Sequence, residues 1–219
     1  MSVCCDPSGY RRMFDERHAR RNADTYRRSG LEGMARGLVD HLRTCGLSGL
    51  TVLEIGGGVG GIQIELLRAG AAHAMNVELS PEYEGIAAEL AREAGVADRV
   101  ERRVGDFVDI ANSVEPADVV VMHRVVCCYP YLERLLGPAA DRARRALALT
   151  FPRRNPLIRA ALGIGNVWFW ATRSSFRLFA HPPREIDRIA TERGLGETYR
   201  KRGFFWESVV FERAATVSG

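Results

Sequence analysis

Short apolar runs alternate with stretches of helical periodicity from Val52 onward, which is the pattern of a parallel α/β sheet. We predict an α/β fold in which helices cover both faces of a doubly wound, mostly parallel, seven-stranded sheet. The predicted strands are Thr51–Ile55, Ala74–Glu78, Val100–Val104, Val119–His123, Ala146–Thr150, Gly196–Arg202 and Glu207–Glu212. The predicted helices are Gly60–Ala69, Pro81–Ala94 with Ser80 as its N-cap, Tyr131–Arg144 and Pro183–Arg193.

Two segments lie outside this alternation. Residues 1–46 are mostly helical by pattern, and residues 153–181 are rich in aromatic side chains. An insertion after the fifth strand of such a sheet lies near the edge where the parallel strands end. We therefore expect a helical cap (1–46) and an aromatic insertion (153–181), both belonging to one domain whose main part spans 47–219. The aromatic residues of the insertion are Trp168, Phe169, Trp170, Phe176 and Phe179.

The composition is that of a single globular domain, since 46% of the 219 residues are hydrophobic and 26% are charged. The net charge of +4 is spread along the chain with acids between the arginines, so we expect no nucleic-acid partner. No apolar stretch is long enough to span a bilayer, and no secretory signal is recognisable. We expect a cytoplasmic protein with a small-molecule substrate, no membrane partner and no metal site.

A glycine-rich turn, Gly56–Gly61, follows the first strand and opens a helix. Glycine suits a turn where the backbone bends tightly and a ligand approaches closely. No Lys-Ser/Thr pair follows, which excludes a nucleoside-triphosphate P-loop. Glu54 precedes the turn, where a carboxylate binds a cationic amino group or the turn amides but repels a pyrophosphate. Glu78 ends the second strand, and an acid there suits the two hydroxyls of a ribose.

Three motifs between Leu50 and Phe107 resemble the cofactor half of class I S-adenosylmethionine-dependent methyltransferases. They are an acid-x-Gly-x-Gly-x-Gly strand and turn, an acid at the end of the second strand, and Gly105-Asp106 after the third. The resemblance implies a Rossmann-like fold and S-adenosylmethionine as the cofactor. It also implies that Glu54 and the turn hold the methionine part, Glu78 the ribose and Asp106 the adenine. The cofactor-binding residues that it implies are Glu54, Gly56, Gly57, Gly58, Gly60, Glu78, Leu79, Asp106, Phe107 and His123.

The fourth strand ends in His123 and Arg124, with Cys128 four residues further on. In this fold that strand end faces the methyl group and the acceptor, so these three residues are the candidate catalytic residues. His123 is either a general base, because its ordinary pKa lies near working pH, or a structural residue under the cofactor. Arg124 either binds a carboxylate or is a surface charge. The Asn/Asp-Pro-Pro-aromatic loop of nucleobase amino methyltransferases is absent here, which disfavours DNA amino methylation.

Four of the five cysteines form adjacent pairs, Cys4-Cys5 and Cys127-Cys128, without CxxC spacing. If the N-terminal segment folds over the sheet edge, the four thiols converge and suit a metal, a metalloid or a thiol substrate. Two arguments oppose this reading. Adjacent side chains tend to point apart, and cysteine is often a small core residue.

The chain from Val125 to Glu212 bears a looser resemblance to the magnesium-protoporphyrin O-methyltransferases. It rests on Tyr129-Pro130, Thr150-Phe151-Pro152-Arg153 and Gly203-Phe204-Phe205, although those enzymes have histidine where this chain has Cys128. We predict methyl transfer from S-adenosylmethionine to a small-molecule acceptor. The alternatives are an O-methyltransferase of a tetrapyrrole or polyketide-like acid, a thiol or metalloid methyltransferase that uses the cysteine pairs, and a non-catalytic cofactor-binding module.

Overall fold

The computed structural model describes residue 10 and residues 13–214. Its strands are β1 (Thr51–Ile55), β2 (His73–Glu78), β3 (Val100–Val104), β4 (Ala117–His123), β5 (Ala143–Pro152), β6 (Leu195–Arg202) and β7 (Trp206–Arg213). They form one sheet in the order β3-β2-β1-β4-β5-β7-β6. β7 is antiparallel to both of its neighbours, and every other pair is parallel. The carboxyl ends of β1, β2 and β4 therefore meet at one edge.

Eight helices are described around the sheet. They are α1 (Glu16–Ser29), α2 (Gly33–Thr44), α3 (Gly61–Arg68), α4 (Glu84–Glu93), α5 (Phe107–Ile110), α6 (Leu132–Arg142), α7 (Pro156–Ala171) and α8 (Pro183–Glu192). Short 3₁₀ helices occur at Pro81–Tyr83, Ala97–Arg99, Ala111–Ser113 and Val126–Cys128. Within the described residues, no helix combines the length and the apolar character needed to cross a membrane.

Alternation along the central strand β4 builds a hydrophobic core on each face of the sheet. Val119 and Val121 lie in one core, with side chains of α1 to α4. Val120 and Met122 lie in the other, with side chains of α6 and α8. Because successive strand residues point to opposite faces, a strand that is apolar at every position is covered on both sides. The buried sheet thus supports the residues at its carboxyl edge.

The predicted fold class is confirmed, and all seven predicted strands are present. Strand ends differ from the prediction by two residues at most, except that β5 starts at Ala143, three residues earlier than predicted. The segment 153–181, for which no secondary structure was predicted, contains α7, the longest described helix. Ser80 holds the N-cap position before Pro81, but its side chain makes no capping hydrogen bond.

Candidate functional site

The turn between β1 and α3 depends on glycine at alternate positions. Gly56, Gly58 and Gly60 have φ of 64°, 55° and 80°, in the left-handed region that side chains other than glycine rarely adopt. A Cβ on Gly57, between them, would lie 2.2 Å from Asn76 Nδ2. The turn therefore brings bare backbone to the edge of the sheet, where a ligand can approach without meeting a side chain.

Glu54 is a buried carboxyl group behind this turn, with 2% of its surface exposed. Its Oε2 accepts a hydrogen bond from Gln63 N at 3.2 Å, so its partner in the structure is an amide of the first turn of α3. Burial raises the pKa of Glu54 to about 8, against the opposing effects of the Gln63 bond and Arg102. Asn76 donates to Gln63 Oε1 at 3.0 Å, which links β2 to the same helix.

Glu78, at the end of β2, joins that strand to the glycine turn. Its Oε2 accepts from Gly58 N at 2.8 Å and its Oε1 accepts from Ser80 N at 3.0 Å. Burial raises the pKa of this carboxyl group, while the two amide bonds and Arg102 act in the opposite direction. The two oxygens are therefore fixed in position by backbone amides at the place where the resemblance puts a ribose.

Asp106 follows β3 and is the N-cap of α5, where its Oδ1 accepts from Val108 N at 2.9 Å. The preceding residue, Gly105, donates its amide to the carbonyl of Glu78 at 2.9 Å. Phe107 is buried beside them. The second and third sequence motifs thus lie next to each other in space.

One cavity of about 750 Å³ lies over these residues, within the range of roughly 300–1,000 Å³ that is usual for ligand sites. All of the predicted cofactor-binding and catalytic residues line it except Gly60, the N-cap residue of α3. The lining is largely apolar and includes several ionisable groups. The predicted residues that line the cavity are Glu54, Gly56, Gly57, Gly58, Glu78, Leu79, Asp106, Phe107, His123, Arg124 and Cys128.

The end of β4 brings two basic side chains to the cavity. His123 Nδ1 is buried without a hydrogen-bond partner among the described residues, and burial together with Arg124 lowers the His123 pKa to about 3. Arg124 has φ of 61°, and its guanidinium carbon lies 4.7 Å from the centroid of the Trp206 ring. Burial lowers the Arg124 pKa. No carboxylate forms an ion pair with Arg124 in the part of the chain that the structure describes.

Cys127 and Cys128 lie in a 3₁₀ turn, and their sulfur atoms are 3.8 Å apart. The expectation that these adjacent side chains point apart is wrong, because it assumed extended backbone. The Cys127 thiol donates to the carbonyl of Arg124 at 3.3 Å, and the Cys128 sulfur lies 3.7 Å from the same carbonyl. The hydrogen bond from Cys128 lowers the pKa of Cys127, and the pKa of Cys128 is correspondingly raised. Cys4-Cys5 lies outside the described residues.

An aromatic cluster packs over the cavity, formed by the two segments that the sequence predicts as a cap and an insertion near this edge, although Tyr10 and Phe14 were not among the residues named there. Phe176 makes edge-to-face contacts with Tyr10, Phe14 and Phe169, with ring centroids 5.3, 5.7 and 5.1 Å apart. The Tyr10 hydroxyl donates to the carbonyl of Cys128. These four rings, here named the aromatic roof, come from the two segments outside the regular alternation. Their aromatic content was the available signal, but only the fold shows that they meet.

Comparison with known proteins agrees with this geometry. Residues 52–148 match a family model described as a methyltransferase domain. A search of curated proteins finds none that matches the sequence significantly. Among solved structures, magnesium protoporphyrin IX methyltransferase from Synechocystis PCC 6803 with bound S-adenosylmethionine has a TM-score of 0.70 and 20% identity, over 98% of this chain and 100% of that one.

Two further structures share the fold. Geranyl diphosphate C-methyltransferase from Streptomyces coelicolor A3(2) has a TM-score of 0.65 and 17% identity, over 82% of this chain and 76% of that one. An O-methyltransferase family 2 protein from Planctomyces limnophilus DSM 3776, in complex with apigenin, has a TM-score of 0.65 and 21% identity, over 90% of this chain and 62% of that one. The domain match covers less than half of the chain, and together with the shared fold it indicates an S-adenosylmethionine-dependent methyltransferase.

Proposed function

We propose that this protein transfers a methyl group from S-adenosylmethionine to a carboxylate oxygen of an apolar acid. The observation that carries the proposal is Arg124, a solvent-accessible cation in the cavity wall that forms no ion pair with a described carboxylate. A guanidinium without a carboxylate partner, set in a largely apolar cavity wall, offers strong hydrogen-bond donors to an anionic ligand. The largely apolar lining around it favours an acceptor whose remaining surface is hydrocarbon or aromatic.

The residues around the glycine turn fit the cofactor. A bare backbone turn, two buried carboxyl groups and the unpartnered polar atoms His123 Nδ1 and Ser80 Oγ face or border one cavity. We assign the methionine part to Glu54 and the turn, the ribose to Glu78 and the adenine side to Asp106. When bound, S-adenosylmethionine supplies an electrophilic methyl group on a sulfonium.

The ionisation of His123 favours a carboxylate over a phenol as acceptor. A general base works best when its pKa is near the operating pH, and the pKa of His123 is lowered to about 3. A phenol keeps its proton at neutral pH and needs such a base, whereas a carboxylate is already ionised. The acceptor oxygen forms the new bond to the methyl carbon as the carbon–sulfur bond breaks, giving a methyl ester and S-adenosylhomocysteine. The work of Arg124 is then to align the acceptor, which is a large part of such catalysis.

The structural neighbours support a small-molecule acceptor with apolar surface. Their names or ligands include a magnesium protoporphyrin, geranyl diphosphate and apigenin. A tetrapyrrole or a polyketide-like acid combines a flat apolar body with a carboxylate or a related oxygen, and the aromatic roof offers matching rings. We therefore place these acids first among the acceptors to be screened.

Arg124→Gln tests the proposal. A screen of apolar carboxylic acids, followed by release of S-adenosylhomocysteine and detection of the methyl ester, identifies a working acceptor. With that acceptor, Arg124→Gln raises KM about 10- to 150-fold, the loss of a hydrogen bond to a charged group, and cofactor affinity measured by calorimetry is unchanged. The control is Arg92→Gln, which changes an exposed arginine of α4. Turnover of amines or thiols but not of acids, or an unchanged KM in Arg124→Gln, would contradict the proposal.

The contact between the sulfur atoms of Cys127 and Cys128 supports a second candidate, methyl transfer to a thiol or metalloid held by these residues. Two thiols 3.8 Å apart at the cavity wall can bind one soft atom together. Cys127 already donates to the carbonyl of Arg124, however, and Cys128 contacts both, so the two thiols also satisfy a structural role. The carboxylate proposal stays first because it uses the otherwise unpaired cation.

A further inference from the structure

Helix α7 has an exposed apolar side. Its inner side is formed by Ile158, Leu162 and Phe169, which are buried against the protein. Its outer face, as we name it, is apolar along the whole helix, and the exposed fractions of its large side chains range from 61% to 72%. A helix that is hydrophobic all round is normally covered on all sides. The large residues of the outer face are Leu157, Ile164, Val167, Trp168 and Trp170.

The charged residues next to this helix along the chain are of one sign. From Arg153 to Arg184, the stretch that contains α7, the chain has six arginines and no acidic residue, although the whole chain has 27 acids against 31 basic residues. Arg154 and Arg173 are exposed at the two ends of α7, and Arg159 is the only charged residue within it. The outer face is therefore an apolar strip bordered by exposed cations.

We propose that the outer face of α7 binds the surface of a bilayer that contains anionic lipids. Tryptophan rings favour the boundary between headgroups and acyl chains, and arginines beside an apolar strip attract lipid phosphates. Because its inner side is packed on the protein, the helix lies flat on the bilayer. The sequence predicted no membrane partner, but that expectation considered only segments that span the bilayer.

A second copy of the chain is a poorer occupant of this surface. Pairing two outer faces would bring two sets of like-charged arginines together without any acid from this segment to offset them. An anionic lipid surface instead supplies the opposite charge along with apolar volume. Charge complementarity therefore decides between the two occupants.

Membrane binding would also place the reaction cavity beside the lipid. Phe169 lies on the inner side of α7 and lines the cavity, so one helix contacts both the bilayer and the site. An apolar acid dissolved in the bilayer then has a short route to the cavity. This link to the acceptor depends on the proposed function, whereas the binding of lipid does not.

Vesicle flotation with the full chain tests the binding. We expect it to float with phosphatidylcholine vesicles that contain phosphatidylglycerol, to float at least about tenfold less with pure phosphatidylcholine, and to be released by salt. Brominated lipids in the vesicles that contain phosphatidylglycerol should quench the tryptophan fluorescence of the wild-type protein. Absence of flotation and quenching with both vesicles, or equal binding to both, would overturn the proposal.

Matched variants locate the surface. Trp168→Glu with Trp170→Glu should reduce flotation at least about tenfold, while Val104→Glu, which adds a charge at an exposed apolar position on the far edge of the sheet, should not. Wild-type binding by the tryptophan variant would overturn the assignment to α7. Its folding is checked by thermal unfolding and by S-adenosylmethionine binding in calorimetry, so loss of lipid binding is distinguished from loss of the cofactor site.

The arginines are tested in the same way. Arg154→Glu with Arg173→Glu should reduce flotation with anionic vesicles at least about tenfold, and Arg28→Glu with Arg92→Glu, the same charge change at two exposed arginines elsewhere, should have a smaller effect. Equal effects of the two pairs would overturn the local assignment. Analytical ultracentrifugation tests whether a second copy of the chain occupies the outer face instead. A dimer in the wild type that the tryptophan variant dissociates would show that a second copy, not lipid, covers the outer face.

Discussion

The two halves of the sheet edge hold their site residues in different ways. In the half built on β1 to β3, carboxylates bind backbone amides, as Glu78 does with Gly58 and Ser80. In the half built on β4 to β7, the candidate acceptor-binding cation is held by a side chain, since the guanidinium of Arg124 lies over the ring of Trp206. A hydrogen bond to a backbone amide does not depend on which side chains the turn carries. A contact with a side chain, by contrast, is removed by a single substitution. The first half is therefore suited to an unvarying cofactor and the second to an acceptor that differs between enzymes.

Gly58→Val, in the half of the sheet edge built on β1 to β3, is expected to have the largest effect, which is on cofactor binding. Gly58 has φ of 55°, and an added Cβ would lie 3.2 Å from Tyr83 Cε1. A β-branched residue resists this backbone conformation and fills the space over the turn. Calorimetry should show that binding of S-adenosylmethionine is lost. Gly85→Val is the control, because a Cβ there meets no atom within 4 Å. Normal cofactor binding by Gly58→Val would mean that the turn is not the binding element.

The ionisation of Glu54 is expected to have a moderate effect on cofactor affinity. Its pKa of about 8 means that the carboxyl group is neutral below that pH, whereas the cationic amino group of the methionine part favours the carboxylate. Binding should therefore release a proton. Cofactor affinity should rise with pH by up to about tenfold per unit below pH 8 and level off above it. Calorimetry in buffers of different ionisation enthalpy measures the released proton, and Glu54→Gln should abolish both effects. A flat profile in the wild type would contradict the assignment.

The ligand-free protein gives an independent check on Glu54. A carboxyl group with a raised pKa binds its proton more tightly in the folded state, so the stability that it contributes is lost as pH rises through about 8. His123, with a lowered pKa, acts oppositely but only below its ordinary value near 6.5. Between pH 6.5 and 8 the free energy of unfolding should therefore fall by about 1–2 kcal/mol in the wild type. Denaturant titrations of Glu54→Gln should show a smaller fall, to which Glu78, whose pKa is also raised, still contributes.

Cys128→Ser, in the half of the sheet edge built on β4 to β7, is expected to have the smallest effect, which is on turnover. Under the carboxylate proposal this residue only packs and donates to the Arg124 carbonyl, which a serine hydroxyl can also do. Turnover of a working acid should stay within about threefold of the wild type. If the acceptor is instead a soft atom held by thiols, turnover disappears while cofactor binding remains. Turnover measured beside Cys45→Ser, a control at an exposed cysteine, decides between the two.

The first half could be predicted from sequence because its determinants are local. A strand, a turn with glycine at alternate positions and an acid at the next strand end are all readable from spacing. The structure brings Glu54, Glu78 and Asp106 to one cavity, as the spacing implied. The amide partners of the carboxylates were only partly foreseen. Gln63 and Asn76, which complete the network behind the turn, carry no sequence signal of their own.

The second half was less predictable because its contacts join distant residues. Arg124 and Trp206 are 82 positions apart and meet only because β7 pairs with β5 beside β4. Helix α7 was missed because a helix that is apolar on every side has no periodicity to detect. The expectation that Cys127 and Cys128 point apart was wrong because a 3₁₀ turn of only three residues, here 126–128, leaves no reliable signal in the sequence.

The aromatic roof has a consequence for the timing of catalysis. Its rings are joined by three edge-to-face contacts, each worth about 0.5–1.5 kcal/mol, and their separation breaks no strand pairing. A cover held by a few kcal/mol opens and closes on the microsecond-to-millisecond scale, slowly enough to control the exchange of ligands. Tyr10 ties this cover to the Cys128 carbonyl, beside the residues that meet the acceptor. We therefore expect departure of the product to require displacement of Tyr10 and Phe14, so that this movement rather than methyl transfer can limit turnover.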